Sequence, residues 1–137
     1  CGSRRCWEAL ASENATVAQY LQYASIKNDF KTKINFEKVV SLALAGDDNA
    51  CKALKQTGKY LGIGISNLIV GLSPQAIVIS GSIVEAWDII SDELFQLLAN
   101  NNRIGLETTP LITSTLGSHP TLIGALNLVL AKKFASF

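Results

Sequence analysis

The sequence predicts a helix-rich α/β chain in which two short parallel strands are joined by a helix. Three observations carry this reading. No charged residue falls between Lys59 and Glu85, yet Leu72-Ser73-Pro74 interrupts the run as a helix stop, and the β-branched Ala76-Ile-Val-Ile79 resumes it as a short buried strand ending in Gly81-Ser82. From Ile83 to Ala99, Trp87, Ile90, Leu94, Leu97 and Leu98 recur at helical spacing, which completes a strand-turn-helix unit. Pro110 to Thr115 then reads as a second short strand, and strands alternating with helices favour a parallel sheet.

The remaining elements follow in order. Leu10, Val17, Tyr20, Leu21 and Ala24 predict one amphipathic helix over 9–24, with Glu8 at its entrance. A polar stretch through Asp29 and Lys33 leads to Asn35, a helix cap for a short helix with Phe36, Val39, Val40 and Leu44 on one side and Gly46 as its stop. Asp47 or Asp48 caps the longest helix, over 49–72. Its second half is apolar nearly all round, which predicts burial on most sides, and Gly58, Gly62 and Gly64 cost helix propensity unless they admit a neighbouring backbone. Asn100 to Thr109 is turn-rich, and Pro120 suits the first turn of a terminal helix through Leu130. Two strands alone make a marginal sheet, so further strands are expected from residues outside this chain, upstream or in a partner.

Composition narrows the function classes. With 137 residues and 48% apolar content, one globular unit with a core is expected. Twelve basic and eleven acidic residues give a net charge of +1, and the one dense basic run, Lys27 to Lys33, is broken by Asp29 and reads as a solvated loop. That leaves no footprint for phosphate-backbone binding. Three cysteines argue against a disulfide scaffold and for a reducing cytoplasm. The stretch between Lys59 and Glu85 is too interrupted by Asn67, Pro74 and glycines to predict a membrane span.

The chemistry-bearing residues concentrate at the start. Cys1 and Cys6, with four residues between them, supply half of a tetrahedral zinc site, and the other two ligands are expected upstream. Glu8 follows the second thiol by two positions, although it is also where a carboxylate favours a helix start. Cys51, on the long helix, reads as a small buried hydrophobe, and the lone His119 before Pro120 as a capping or surface residue. No histidine-acid pair or paired carboxylate forms a catalytic constellation, so this chain by itself is expected to be catalytically silent.

Cys1-Gly-Ser-Arg-Arg-Cys6-Trp-Glu8 resembles, from its second cysteine onward, the Cys-x-Cys-Gly-x-x-Gly-Cys-x-Glu knuckle of the ROK family of repressors, open reading frames and sugar kinases. Tyr60 to Ile69 followed by Ser73 to Gly81 looks like the family's glycine-rich helix and nucleotide-lobe strand, and Leu122-Ile-Gly-Ala-Leu126 is similar to its closing helix. The resemblance implies the carboxy-terminal part of a ROK domain over 1–137, within an actin-like, ribonuclease-H-like ATPase fold that holds sugar between two lobes. It further implies structural zinc ligation by Cys1 and Cys6, sugar contact by Glu8, nucleotide contact by Gly81 and Ser82, and homo-oligomers.

Two functions fit the resemblance. One is the sugar-sensing portion of a transcriptional regulator, which would meet DNA only through an amino-terminal domain outside this chain. The other is the carboxy-terminal part of an ATP-dependent sugar kinase, with ATP as its co-substrate and its catalytic aspartate and phosphate loop upstream. Three observations favour the regulator. Arg5 stands where the family usually has glycine, Ser82 replaces the second of two adjacent glycines, and Trp7 with Glu8-Ala-Leu-Ala-Ser-Glu13 looks more like the regulator branch. If Gly81-Ser82 is instead an ordinary turn, Ser82 is expected as its cap.

Overall fold

A computed structural model describes residues 6–26, 34–101, 109–117 and 119–134. The expected first helix is two. Helix α1 (Glu8–Ala11) is a single turn, Ser12 takes an extended conformation, and α2 (Glu13–Tyr23) restarts beyond it. The break has a local cause: the Ser12 hydroxyl accepts the Ala15 N–H at 3.2 Å and caps a new helix rather than continuing the old one.

Helix α3 (Phe36–Leu44) begins as expected, with Asn35 Oδ1 accepting the Lys38 N–H at 3.0 Å. It ends in a Schellman arrangement. Gly46 adopts φ +93°, its N–H meets the Ala43 carbonyl at 3.0 Å, and the Asp47 N–H reaches the Leu42 carbonyl at 3.0 Å. Leu44 does not join the buried side and is mostly exposed; Ala43 is buried instead, beside Phe36, Val39 and Val40. Asp47, rather than Asp48, caps the long helix α4 (Asp48–Leu72), accepting the Ala50 N–H at 2.8 Å, and Ser73 in the left-handed region closes it.

Helix α4 is the hub. Helices α1, α2, α3 and α5 (Trp87–Asn101) all pack on it. Gly58 and Gly62 make the α5 crossing possible: a Cβ on Gly58 would lie 2.7 Å from the Ile90 carbonyl oxygen, and one on Gly62 would lie 3.2 Å from Leu97 Cβ. Ile90 and Leu94 are thereby fully buried, as the helical spacing predicts, and Lys59 pairs with Glu93 across the rim of the crossing at 3.5 Å. Fully burying such a side chain contributes roughly 1.5–3 kcal/mol. An exposed ion pair contributes at most about 1 kcal/mol, so packing holds this interface.

The second half of α4 departs from expectation. Ile63 is exposed, and beyond Ile65 so are Leu68, Val70 and Leu72, largely uncovered among the described residues. Strands β1 (Ile77–Ile79) and β2 (Leu111–Thr113) pair in parallel, Ile77 opposite Leu111 and Ile79 opposite Thr113. The strand-helix-strand reading therefore stands, but β1 is buried on one face only. Ile77, Ile79 and Leu111 pack with Ile65 and Leu94, whereas Val78 and Ile112 on the opposite face are exposed. Between β1 and α5 a 3-10 turn spans Ser82–Ala86, and helix α6 (Pro120–Phe134) starts at Pro120 as expected and buries no residue. Among the described residues no helix is long and apolar enough to cross a membrane.

Candidate functional site

The start of α1 and the end of β1 meet at one cavity. Glu8, Ser12, Asn14 and Thr16 line it from the amino-terminal helices, Thr57 and Leu61 from α4, and Ser80, Gly81 and Ser82 from the strand end, around about 370 Å³. Two predicted site elements, Glu8 and the Gly81-Ser82 pair, are separated by the length of the core in sequence and share this wall in space. Phe36 adds an apolar patch and Glu13 a second carboxylate, and the described lining carries no cationic side chain.

Each wall has a physical origin. Gly81 adopts φ +93° with open space where a Cβ would lie, so glycine is required here for its backbone conformation and not for a close approach. It is Gly81, not Ser82, that occupies the cap position of the 3-10 turn. No side chain caps that turn; the Val84 N–H meets the Gly81 carbonyl at 3.1 Å, and Ser82 lines the cavity.

The inner wall contains a feature that periodicity does not reveal. Thr16 and Thr57 are both fully buried, and their hydroxyls lie 2.7 Å apart. Thr57 also reaches the Ala53 carbonyl at 3.0 Å, and Thr16 the Ser12 carbonyl at 3.1 Å. Two hydroxyl hydrogens thus face three acceptors, so one backbone contact yields whenever the threonines bond each other. The available signal was a threonine at a core position of each of two amphipathic helices.

Glu8 is exposed at the cavity mouth. Cys6 is half-buried and free, and Cys1 lies outside the described residues. Among the described residues no group of three or more His, Cys, Asp or Glu side chains could hold a metal. Cys6 alone supplies one of the four ligands of a tetrahedral centre. His119 is exposed at the start of α6, away from the cavity lining. Cys51 is only partly buried and directs its thiol at the Ala43 carbonyl, 3.5 Å away.

The third helical glycine of α4 serves a side chain rather than a backbone. A Cβ on Gly64 would run into the Trp7 indole, whose Nε1–H donates to the Tyr60 carbonyl at 2.9 Å.

Comparison with known proteins places this geometry. Over 132 residues the chain is 29% identical to the xylose repressor of Bacillus subtilis (strain 168), an alignment covering 95% of this chain and 32% of the repressor. It is 27% identical over 135 residues to the DNA-binding transcriptional dual regulator NagC of Escherichia coli (strain K12), covering 94% of this chain and 32% of the regulator. The chain thus spans about a third of the length of these relatives. Its fold superimposes on a ROK family glucokinase from Streptomyces griseus, solved with glucose and AMPPNP, with a TM-score of 0.77 at 22% identity, covering 93% of this chain and 45% of that one. The helix-rich architecture with two parallel strands is accordingly that of the actin-like ATPase fold. The sequence profile of the ROK family matches residues 1–132, and the chain belongs to the ROK family.

Proposed function

We propose that this chain is the sugar-sensing portion of a cytoplasmic ROK transcriptional regulator, with Glu8 as the principal sugar contact. The observation that carries the proposal is the convergence of Glu8 with Gly81 and Ser82 on one hydroxyl-rich cavity. A carboxylate accepts hydrogen bonds from adjacent sugar hydroxyls, and such charge-assisted bonds are about twice as strong as neutral ones. Ser12, Asn14 and Ser82 supply both donors and acceptors, and Phe36 and Leu61 offer apolar surface to the C–H face of a ring. Two carboxylates with no cation in the described lining favour a neutral polyol over a phosphorylated one, since an unpaired anion pair repels phosphate.

In this reading DNA is met by a domain outside the chain, and sugar occupancy changes how that domain is presented. Named relatives support the regulator: two that align with nearly all of this chain are a xylose repressor and a DNA-binding dual regulator. Cys1 and Cys6 would hold a structural zinc with two further ligands from outside this chain, closing the loop ahead of Glu8. The exposed apolar side chains of the outer strand face, Val78 and Ile112, and those of α6 would be covered by the remainder of the protein or by a second copy in a homo-oligomer.

The kinase reading keeps one specific support, the positive-φ Gly81 at the cavity wall, where a nucleotide would be approached. One experiment separates the two. The full-length protein is incubated with xylose or N-acetylglucosamine, with and without ATP, while promoter-DNA binding and sugar phosphate are both followed. Sugar-dependent change in DNA affinity without phosphorylation supports the regulator; ATP-dependent sugar phosphate above an enzyme-free control replaces it with the kinase.

A further inference from the structure

We infer that Trp7 is a positioning residue for the sugar site: its indole, seated on Gly64 of α4, aims the Glu8 carboxylate, which rests on the reading of Glu8 as the sugar contact. Helix α1 is one turn of four residues with none buried, too short to persist by its own hydrogen bonds. Something outside it must hold it. Gln19 Nε2 approaches the Leu10 carbonyl at 3.4 Å, a long contact. The Trp7 indole makes the better one, 2.9 Å from Nε1 to the Tyr60 carbonyl, and its ring fills the space where any side chain on Gly64 would stand.

The lock acts on the residue that matters. The Trp7 carbonyl accepts the Leu10 and Ala11 N–H groups at 3.0 and 2.8 Å, so fixing Trp7 fixes the turn that carries Glu8. A small space of about 130 Å³ is walled by Trp7, Glu8, Ala11 and Leu61, so the two residues also share a boundary. The contact spans 53 residues and ends on α4, the helix on which the rest of the core is packed. The turn that carries Glu8 is thereby tied to α4 through the Trp7 indole.

The test is a double-mutant cycle on the full-length protein, with xylose and N-acetylglucosamine as calorimetric probes. Trp7→Phe, which keeps a ring and deletes the N–H, and Gly64→Ala, which displaces the indole, are each expected to weaken binding about tenfold, the loss of one net hydrogen bond and its alignment. Glu8→Gln alone weakens binding, and adding Trp7→Phe to it produces no further loss. Zinc content of Trp7→Phe by elemental analysis stays at the wild-type value. Additive losses in the double variant overturn the inference while leaving Glu8 as the sugar contact. Unchanged affinity in Glu8→Gln overturns both. Loss of zinc in Trp7→Phe or Gly64→Ala would assign the effect to the cysteine loop and overturn the inference as well.

Discussion

The hydroxyl of Thr16 lies 2.7 Å from that of Thr57, 41 residues away, with both side chains fully buried behind the candidate cavity. This bond joins α2 to α4 at the cavity wall, and each threonine keeps a backbone carbonyl within reach as an alternative acceptor. That redundancy sets the first expectation. Thr16→Val or Thr57→Val leaves the surviving hydroxyl satisfied by its own helix, so each should cost only about 1 kcal/mol. Thr16→Val with Thr57→Val should cost less than the two summed, because both partners become apolar together. Urea unfolding of the four proteins measures this directly, and additive losses would show that the pair is not coupled.

The glycines of α4 should separate into two classes. Gly58→Ala drives a methyl against the Ile90 carbonyl, a backbone atom that cannot yield without parting the helices, and should destabilise by about 1–3 kcal/mol. Gly71→Ala meets open space in a helix and should stabilise by about 0.5–1 kcal/mol. Opposite shifts in thermal midpoint are expected; a loss at both positions would mean that space is not what distinguishes them.

Tyr20 gives a pH dependence of defined sign. Its phenol is buried, and burial first, then the negative charge of Asp47, raises its pKa above the ordinary value of 10.0. The neutral form is favoured in the folded state. The associated stability is therefore fully present below pH about 10, and is lost as pH rises through the folded value, because the unfolded chain releases its proton first. Urea midpoints compared between wild type and Tyr20→Phe should diverge only on the alkaline side, with the wild type falling more steeply. Parallel curves would remove Tyr20 as the cause.

Much of this fold was legible in the chain because local chemistry decided it. Asn35, Gly46, Asp47, the Ser73-Pro74 stop and Pro120 each satisfy or withhold specific backbone groups, and each element starts or ends where they stand. The sequence misled where local and tertiary signals conflict. Ser12 sits inside an amphipathic period, so the spacing of Leu10 and Val17 concealed a cap that splits the helix. The apolar second half of α4, Val78 and Leu44 read as buried because hydropathy reports what could be covered, not which chain covers it. For the site, motif position alone points to Glu8 and Gly81-Ser82, but their meeting at one cavity is a contact between segments more than seventy residues apart in the chain. The threonine pair and the Trp7 lock are contacts between distant residues, and no spacing rule exposes them.

If the Glu8 carboxylate binds a neutral sugar in this cavity, calorimetric titration will distinguish the full-length protein from its Glu8→Gln variant. A sugar that binds the wild type should bind Glu8→Gln at least about tenfold more weakly, as expected for removing a charged acceptor, with the thermal midpoint unchanged. Equal affinity in the two proteins would contradict the claim.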